Sequence, residues 1–297
     1  MKVNHIHPSW CSIIELDSIE EFFNQPDNFW RDMIYDRKLI FFKRVNFTRA
    51  QYAEFSLKFG LPWSQDDYQY SQEFAETLDT RFGKLTISPF NTKIVNQERI
   101  NMSEMPWHAD IPNRIEKPFP FRSLWITSNP NPTISGQTIW LNVERAVELL
   151  TPELLDLAQR LIVTQQSWYK PGTDLQEFSF IKTHPITGKQ SLRLNWLCRP
   201  DRTDAWIRST KLDGVLQDDN SLLQSFYEYF IKFPELYYKH IWDTLDIAIY
   251  DNWPFVHRRT KLDFNAKNEY REFLRINIDH VSNNDWPAHA IRYKTKL

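Results

Sequence analysis

The clearest apolar run in the chain is Leu39-Ile40-Phe41-Phe42, set between Lys38 and Lys43. An unbroken run of this kind predicts a strand buried on both faces. Before it, Asp17 to Pro26 predicts a short helix: Asp17 or Ser18 can cap it, Glu20 and Glu21 occupy its first turn, and Pro26 closes it. After it, Thr48 is a suitable N-cap for a helix carrying Tyr52, Phe55, Leu57 and Phe59, with Gly60 at its expected C′ position and Pro62 beyond. Residues 63–92 are polar, aromatic and poorly periodic, and predict a loop with room for one short helix. A connection of that length inside a compact domain marks a candidate lid.

Strand-like segments follow at Lys93–Asn96, Trp107–Ile111 and Phe121–Ser128. Asn129-Pro130-Asn131-Pro132 and Ser135-Gly136 mark a turn, after which Thr138–Leu141 resumes as strand. Asn142 can cap a helix to Leu150 with Glu144 at its positive end, although Arg145 at the third helical position rules out a full capping box. Thr151-Pro152-Glu153 opens another helix, with Pro at the first position, running to Leu161. Strands at 177–182 and 190–196 flank the Pro/Gly turn His184–Lys189. A helix over 220–232 carries Leu222, Leu223, Phe226, Phe230 and Ile231 at helical spacing, and strands are predicted at 236–241, 246–250, 253–257 and 272–279. Many short strands with few helices, and no regular alternation, predict an antiparallel β core with helices packed on it. A jelly roll fits that count and closes most sheet edges. No repeat, low-complexity tract or linker divides the chain, so residues 1–297 are expected to form a single domain.

Composition narrows the function more than the fold. The 12 Trp, 12 Tyr and 21 Phe provide ample apolar material for a core. Lys and Arg number 36 against 38 Asp and Glu, a net charge of −2 with no basic run, which excludes the phosphate-neutralising stripe of a nucleic-acid binder. Cys11 and Cys198 form no Cys-x-x-Cys pair and are expected to be free thiols in a reducing compartment. The N-terminus lacks the apolar core of a signal peptide and no run reaches membrane-spanning length, so a cytoplasmic protein, not integral to a membrane, is expected.

Candidate chemistry begins at Met105–Pro112. His108 and Asp110 lie two apart in an apolar stretch, and on a strand side chains so spaced point to one face. An imidazole and a carboxylate together supply two-thirds of a 2-His-1-carboxylate facial triad; alone, the pair is equally a polar strand end. His257 closes an apolar run within Asp251–Thr260, which places it at a strand end facing inward. In Tyr270–Ile278, Arg271, Phe273 and Arg275 share one face of a strand, and Glu272, Leu274 and Ile276 the other. Arginines on a face that carries Phe273 suit carboxylate recognition through parallel hydrogen bonds, or else a surface charge ladder with Glu269 or Glu272. His5 and His7 are expected in a frayed, solvent-exposed terminus, and His184, His240, His280 and His289 in structural roles. Trp168, Tyr169 and Trp196 could line a substrate pocket, against a plainer place in the core.

Taken in order, His108-x-Asp110, Thr138, His257 and Arg271 resemble the TauD/TfdA family of Fe(II)- and 2-oxoglutarate-dependent dioxygenases, of the clavaminate synthase-like superfamily. Trp107-His108-Ala109-Asp110 is similar to the family's W-H-[TS]-D, and Ser135-Gly136-Gln137-Thr138-Ile139-Trp140 to its G-G-D-T-x-[WF]. Thr183–Lys189 resembles T-H-P-x-T-G-[RK], and Asp251-Asn252 with His257-Arg258-Arg259-Thr260 resembles D-N-x-x-x-x-H-G-R-T. The likeness covers nearly the whole chain. It implies a double-stranded β-helix (jelly roll) core flanked by α-helices, with iron ligands at His108, Asp110 and His257. It further implies Arg271 on the distal carboxylate of 2-oxoglutarate, Thr138 adding a hydrogen bond to it, and Arg275 on an anionic group of the prime substrate. Arg258 and Trp196 are additional substrate candidates.

With Fe(2+), 2-oxoglutarate and O2, the resemblance implies hydroxylation of an unactivated C–H in an anionic small molecule, with release of succinate and CO2. Desaturation or another oxidative rearrangement in natural-product biosynthesis, and hydroxylation of an acidic sugar such as Kdo of lipid A, stay open, as does a homo-oligomer. Asp110 stands where halogenating relatives carry Gly or Ala, which favours hydroxylation. Leu245-Asp246 replaces the family's Gly-Asp, and Arg258 the Gly of H-G-R; both suggest altered backbone or an extra charge near the site. The 14-residue spacing from His257 to Arg271 leaves room for Arg275 to exchange roles with Arg271. Two readings come from other classes. A jelly-roll binding protein without catalysis would need neither Thr138 nor Arg271 beside a full ligand set, and a zinc hydrolase gives no reason for a carboxylate-binding arginine.

Overall fold

Two facing sheets organise the fold, in a computed structural model that describes residues 1–26, 28–62, 76–80, 83–91, 105–110, 121–129, 136–166, 175–184, 186–195, 207, 209–217, 221–261 and 271–279. The larger sheet holds β1 (Lys2–His5), β2 (Ser12–Glu15), β3 (Leu39–Phe42), β4 (Leu61–Pro62), β5 (Glu76–Thr80), β6 (Gly83–Asn91), β8 (Phe121–Ser128), β17 (Ile247–Asp251) and β19 (Glu272–Asp279). The smaller holds β7 (Met105–His108), β9 (Thr138–Asn142), β16 (Tyr237–His240) and β18 (Phe255–Arg259), in the order β16-β9-β18-β7. A further sheet of β10 (Leu161–Gln166), β11 (Leu175–Ser179), β14 (Ser209–Leu212) and β15 (Val215–Gln217), and a hairpin of β12 (Ile181–Thr183) and β13 (Gln190–Leu192), pack outside them. Among the described residues, pairing is antiparallel except between β2 and β3.

Strand alternation sorts the side chains into three apolar layers. Along β17, Ile247 and Ile249 face outward, where they meet Ile40, Phe42, Trp125, Leu274, Ile276 and helices α1 (Ile19–Phe23), α2 (Phe29–Arg37) and α3 (Arg49–Ser56). Ala248 and Tyr250 face inward and join Leu39, Phe41, Ile126, Trp140, Trp242 and Phe255 between the two sheets. On the far side of the smaller sheet, Leu141, Val143 and Val256 pack with α4 (Val143–Glu148), α5 (Pro152–Arg160), α6 (Ser221–Phe230) and the outer sheet. This is the expected jelly roll with flanking helices. Each layer buries aromatic and branched residues on a pleated surface, the arrangement that removes most apolar area from water.

Local chemistry sets the helix starts. Ser18 accepts from Glu21 N, Asn142 accepts from the backbone of Glu144 and Arg145, and Thr151 accepts from Leu154 N ahead of Pro152. Thr48 forms a complete capping box with Gln51. Among the described residues no helix is long and apolar enough to cross a membrane.

Several expectations are corrected. Within 63–92, the predicted loop contains a hairpin, β5 with β6, and β6 continues the larger sheet by pairing with β19. Its sequence alternates Thr, Leu and Ile with charged residues, so high polarity masked ordinary β-propensity. The N-terminus is not frayed: β1 pairs with β2 along four residues, and His7 stacks on Trp10 with ring centroids 4.1 Å apart. The predicted strand over 177–182 divides into β11 and β12, and α2, β10, β14 and β15 were not foreseen. Leu245, where Gly was expected, keeps the backbone path by adopting φ 69°, pinned by Leu245 N–Ile126 O (2.7 Å) and Val45 N–Leu245 O (2.9 Å). A left-handed leucine costs about 1–2 kcal/mol. Lys93–Asn96, Trp168, Tyr169, Trp196 and Cys198 lie outside the described residues, whereas Cys11 is buried as a free thiol.

Candidate metal centre

β7 and β18 pair so that His108 lies directly opposite His257. Direct cross-strand partners share a face, and the two imidazoles meet with centroids 4.3 Å apart. Asp110 is not on the strand, as its two-residue spacing from His108 had implied, because β7 ends at His108. The turn that follows is fixed by two asparagines: Ala109 N donates to Asn195 Oδ1 (2.7 Å), and Asp110 N donates to Asn252 Oδ1 (3.0 Å). Asn252 Nδ2 donates in return to the Asp110 carbonyl, so one side-chain amide holds the backbone on both sides. The turn brings the carboxylate to the imidazoles, with His257 Nε2 3.7 Å from Asp110 Oδ2. One ligand atom from each of the three residues lies within 4.8 Å of the others, and all three are buried.

The protonation pattern suits a divalent ion. His108 Nδ1 lies 2.7 Å from the Pro106 carbonyl, an acceptor only, so Nδ1 carries the proton and Nε2 keeps its lone pair. Burial holds His108 below the usual histidine range, and burial together with His108 pushes His257 down to about 3. Burial works against the Asp110 charge, but Arg122, the two histidines and Tyr250 outweigh it and hold the carboxyl well below its ordinary range. Two neutral imidazoles and an anionic oxygen are a donor set for a divalent first-row metal.

Sequence reasoning missed the groups that hold the carboxylate. Arg122 Nη1 and the Tyr250 hydroxyl donate to the two Asp110 oxygens, and Arg122 Nε donates to Asn277 Oδ1 (2.8 Å). Arg122, Tyr250 and Asn277 occupy adjoining positions on β8, β17 and β19, on the inner face. A readable signal existed: Arg122 is the one charge in the strand Phe121–Ser128, and alternation puts it on the face of Leu124 and Ile126. The Thr183–Lys189 motif acts one step farther out. His184 Nδ1 accepts from Ile186 N and Thr187 N (3.0 and 3.1 Å), which leaves Nε2–H to donate to Asp251 Oδ2 at 2.9 Å, next to Asn252.

A second polar group lies at the start of β9. Thr138, on the same face as Trp140 and His257, pairs directly with Arg259 of β18. Trp242 Nε1 donates to Thr138 Oγ1 (2.9 Å), so the threonine proton is directed to another acceptor. Arg271, just ahead of β19, donates to the Gly136 carbonyl two residues before Thr138; burial and Arg259 bring it down to about 9, still a cation at neutral pH. Thr138→Val should leave the buried indole N–H of Trp242 without an acceptor and lower stability by about 1–3 kcal/mol in urea unfolding, while Thr138→Ser should not. An unchanged midpoint for the valine variant would show that the contact does not hold in solution.

Arg275 lies on the inner face of β19 between Phe273 and Asn277, half-buried and opposite Leu124. Arg258 is turned away: it lies on the Val256 side of β18, its guanidinium 5.2 Å from the centre of the Trp107 ring. The charge that replaces the Gly of H-G-R is therefore on the outer face of the smaller sheet, not beside His257.

The profile of the "Taurine catabolism dioxygenase TauD, TfdA family" matches residues 4–277. An alkylsulfatase of Acinetobacter baylyi is 26% identical over 216 residues, 64% of this chain and 61% of that protein, so the match spans less than two-thirds of the relative's length. A taurine dioxygenase from Burkholderia xenovorans superposes with a TM-score of 0.65 at 19% identity, over 94% of this chain and 91% of that one. PvcB of Pseudomonas aeruginosa gives 0.66 at 16% identity over 93% and 91%. AAD-2, solved with Mn(II) and N-oxalylglycine, gives 0.63 at 17% identity over 95% and 98%. At these identities the three structures share the fold.

Proposed function

The chain belongs to the TauD/TfdA family of Fe(II)- and 2-oxoglutarate-dependent dioxygenases, and on that premise we propose that it holds iron through His108, Asp110 and His257 and hydroxylates an anionic small molecule. The observation that carries this reading is the convergence of three buried donor atoms within 4.8 Å on the inter-sheet face that also bears Thr138. Bound iron with 2-oxoglutarate and O2 supplies the oxidation; the protein supplies position and charge. Arg122 and Tyr250 fix the Asp110 carboxylate, Asn252 fixes the Asp110 backbone, and Pro106 fixes the His108 tautomer. Such supporting hydrogen bonds set ligand orientation and basicity. Arg271 holds the distal carboxylate of 2-oxoglutarate, with the Thr138 hydroxyl, oriented by Trp242, as a second donor.

Arg275 is the guanidinium for the prime substrate's anionic group. It lies two positions from Phe273 on the inner face, where an apolar body and a charged end can both be met. The A. baylyi relative is named an alkylsulfatase and the family profile is named for taurine, a sulfonate; both names point to the compact anions a guanidinium binds in parallel hydrogen bonds. The test is succinate release from protein supplied with Fe(II), 2-oxoglutarate and O2 over a panel of sulfonates, sulfate esters, carboxylates and acidic sugars. At least one anion should raise succinate above the uncoupled rate, and Arg275→Ala should remove that stimulation. No succinate and no Fe(II)·2-oxoglutarate charge-transfer band would sink the oxygenase reading. Stimulation by uncharged compounds alone would sink the anionic one.

A further inference from the structure

The two histidine-bearing strands are out of even register. His108 pairs with His257 and Met105 with Arg259, so between these pairs β18 passes one residue, Arg258, and β7 two, Pro106 and Trp107. Two residues opposite one make a β-bulge, a feature that re-aims side chains beside functional sites. Proline suits such a position, where no ladder N–H is required. From the bulge the Pro106 carbonyl accepts the hydrogen bond of His108 Nδ1 (2.7 Å), so the geometry of the bulge also sets the rotation of that imidazole.

On the outer face, half-buried Arg258 reaches across the bulge, its guanidinium 5.2 Å from the centre of the Trp107 ring. A guanidinium this close to an indole face is attracted by the ring quadrupole. Trp107 also meets Tyr227 of α6 and Tyr237 of β16, with ring centroids 6.4 and 6.0 Å away. The Tyr227 hydroxyl donates to Leu194 O (2.6 Å), one residue before the Asn195 that receives Ala109 N. His108 is therefore held through both chain neighbours, Trp107 in an aromatic seat beneath Arg258 and Ala109 on Asn195.

Resting on the metal-centre reading above, we propose that Arg258 is a positioning residue for the metal: seated on Trp107, it locks the bulge from the outer face and so fixes the spacing and rotation of the two histidines on the inner one. Arg258 and Trp107 are the chain neighbours of His257 and His108, so any shift of one strand against the other disturbs the outer contact and the inner pair together. Ligands held in place before the ion arrives need not be ordered by it, and losing the contact therefore shows as weaker metal binding. The family pattern H-G-R has Gly where this chain has Arg258, and a glycine has no side chain with which to make the contact.

The test is isothermal titration of the chelator-treated full chain with Mn(II), beside urea unfolding of the same proteins. Arg258→Gln should weaken Mn(II) binding by about 3- to 30-fold, the span of a cation–π contact expressed as a binding ratio, and Arg258→Lys should restore most of it. The d–d absorption of the Co(II)-loaded chain, which reports ligand geometry, should shift in Arg258→Gln and return in Arg258→Lys. A merely structural arginine would lower the urea midpoint and leave the metal untouched. A Mn(II) Kd for Arg258→Gln within about twofold of wild type, or equal weakening in the Gln and Lys variants, therefore overturns the proposal and leaves the metal-centre reading standing. Failure of the wild type to bind Mn(II) overturns that reading itself. If the variants do not fold, a crystal structure of the wild type with Mn(II) decides: a guanidinium over the Trp107 ring supports the proposal, and one turned away to solvent overturns it.

Discussion

Replacing Asp110 with alanine is expected to reduce Fe(II)-dependent succinate formation to background and, separately, to destabilise the metal-free protein by about 3–5 kcal/mol. The first effect follows from loss of one of the three proposed metal ligands. The second comes from what stays behind: the Arg122 guanidinium and the Tyr250 hydroxyl, both buried, lose the carboxylate they donate to. Asp110→Asn keeps an acceptor oxygen at the same place, so it should lose the activity as fully and the stability by less. The pH dependence has a definite sign. The Asp110 carboxyl is held below its unfolded value of about 3.9, so its contribution is complete above that pH and is lost as the pH falls toward the folded value. The stability gap between wild type and Asp110→Ala should therefore be full at about pH 6 and narrow below about pH 4. Urea unfolding of the chelator-treated proteins checks this; a gap independent of pH would show that the Arg122–Asp110 ion pair is not its source.

Arg271→Ala is expected to raise the Kd for 2-oxoglutarate by about 30- to 1,000-fold, equivalent to about 2–4 kcal/mol, with little change in metal affinity. The size reflects the place of the guanidinium: it is buried against Phe273 and fixed on the Gly136 carbonyl, where a lost ion pair is not screened by water. Anaerobic titration of the Fe(II)·2-oxoglutarate absorption reads the Kd directly. Should Arg271→Ala leave it unchanged while Arg275→Ala raises it, the two arginines exchange roles.

Much of this site was legible because several strands combine strong local signals. Leu39–Phe42 was read correctly because packing against layers on both sides selects apolar residues continuously, and Phe121–Ser128 because its centre, Leu124-Trp125-Ile126, does the same. Ser18, Thr48, Asn142 and Thr151 were legible for a different reason, since a cap is a hydrogen bond to the next turn and needs no distant partner. The β5–β6 hairpin escaped because its polar alternation looks like a loop. Asp110 shows the limit of periodicity: the spacing rule requires an unbroken strand, and what ends β7 is a pair of asparagines, Asn195 and Asn252, supplied from far along the chain. The pairing of His108 with His257 is likewise tertiary, and local pattern could give only their separate strand ends. The family resemblance joined them, and the ladder between β7 and β18 supplies the physical reason.

That ladder has a mechanical consequence. β7 is an edge strand, with β18 as its strand neighbour among the described residues, and its last residue is His108. An ion shared by His108, Asp110 and His257 would rivet this edge to the next strand and to the turn beyond it. Loading and edge fraying then become one equilibrium: free energy of binding is added to the opening cost of β7. The emptied protein should exchange its β7 amide hydrogens with solvent sooner than those of β9 or β18, and should offer that loosened edge to other chains as a seed for aggregation.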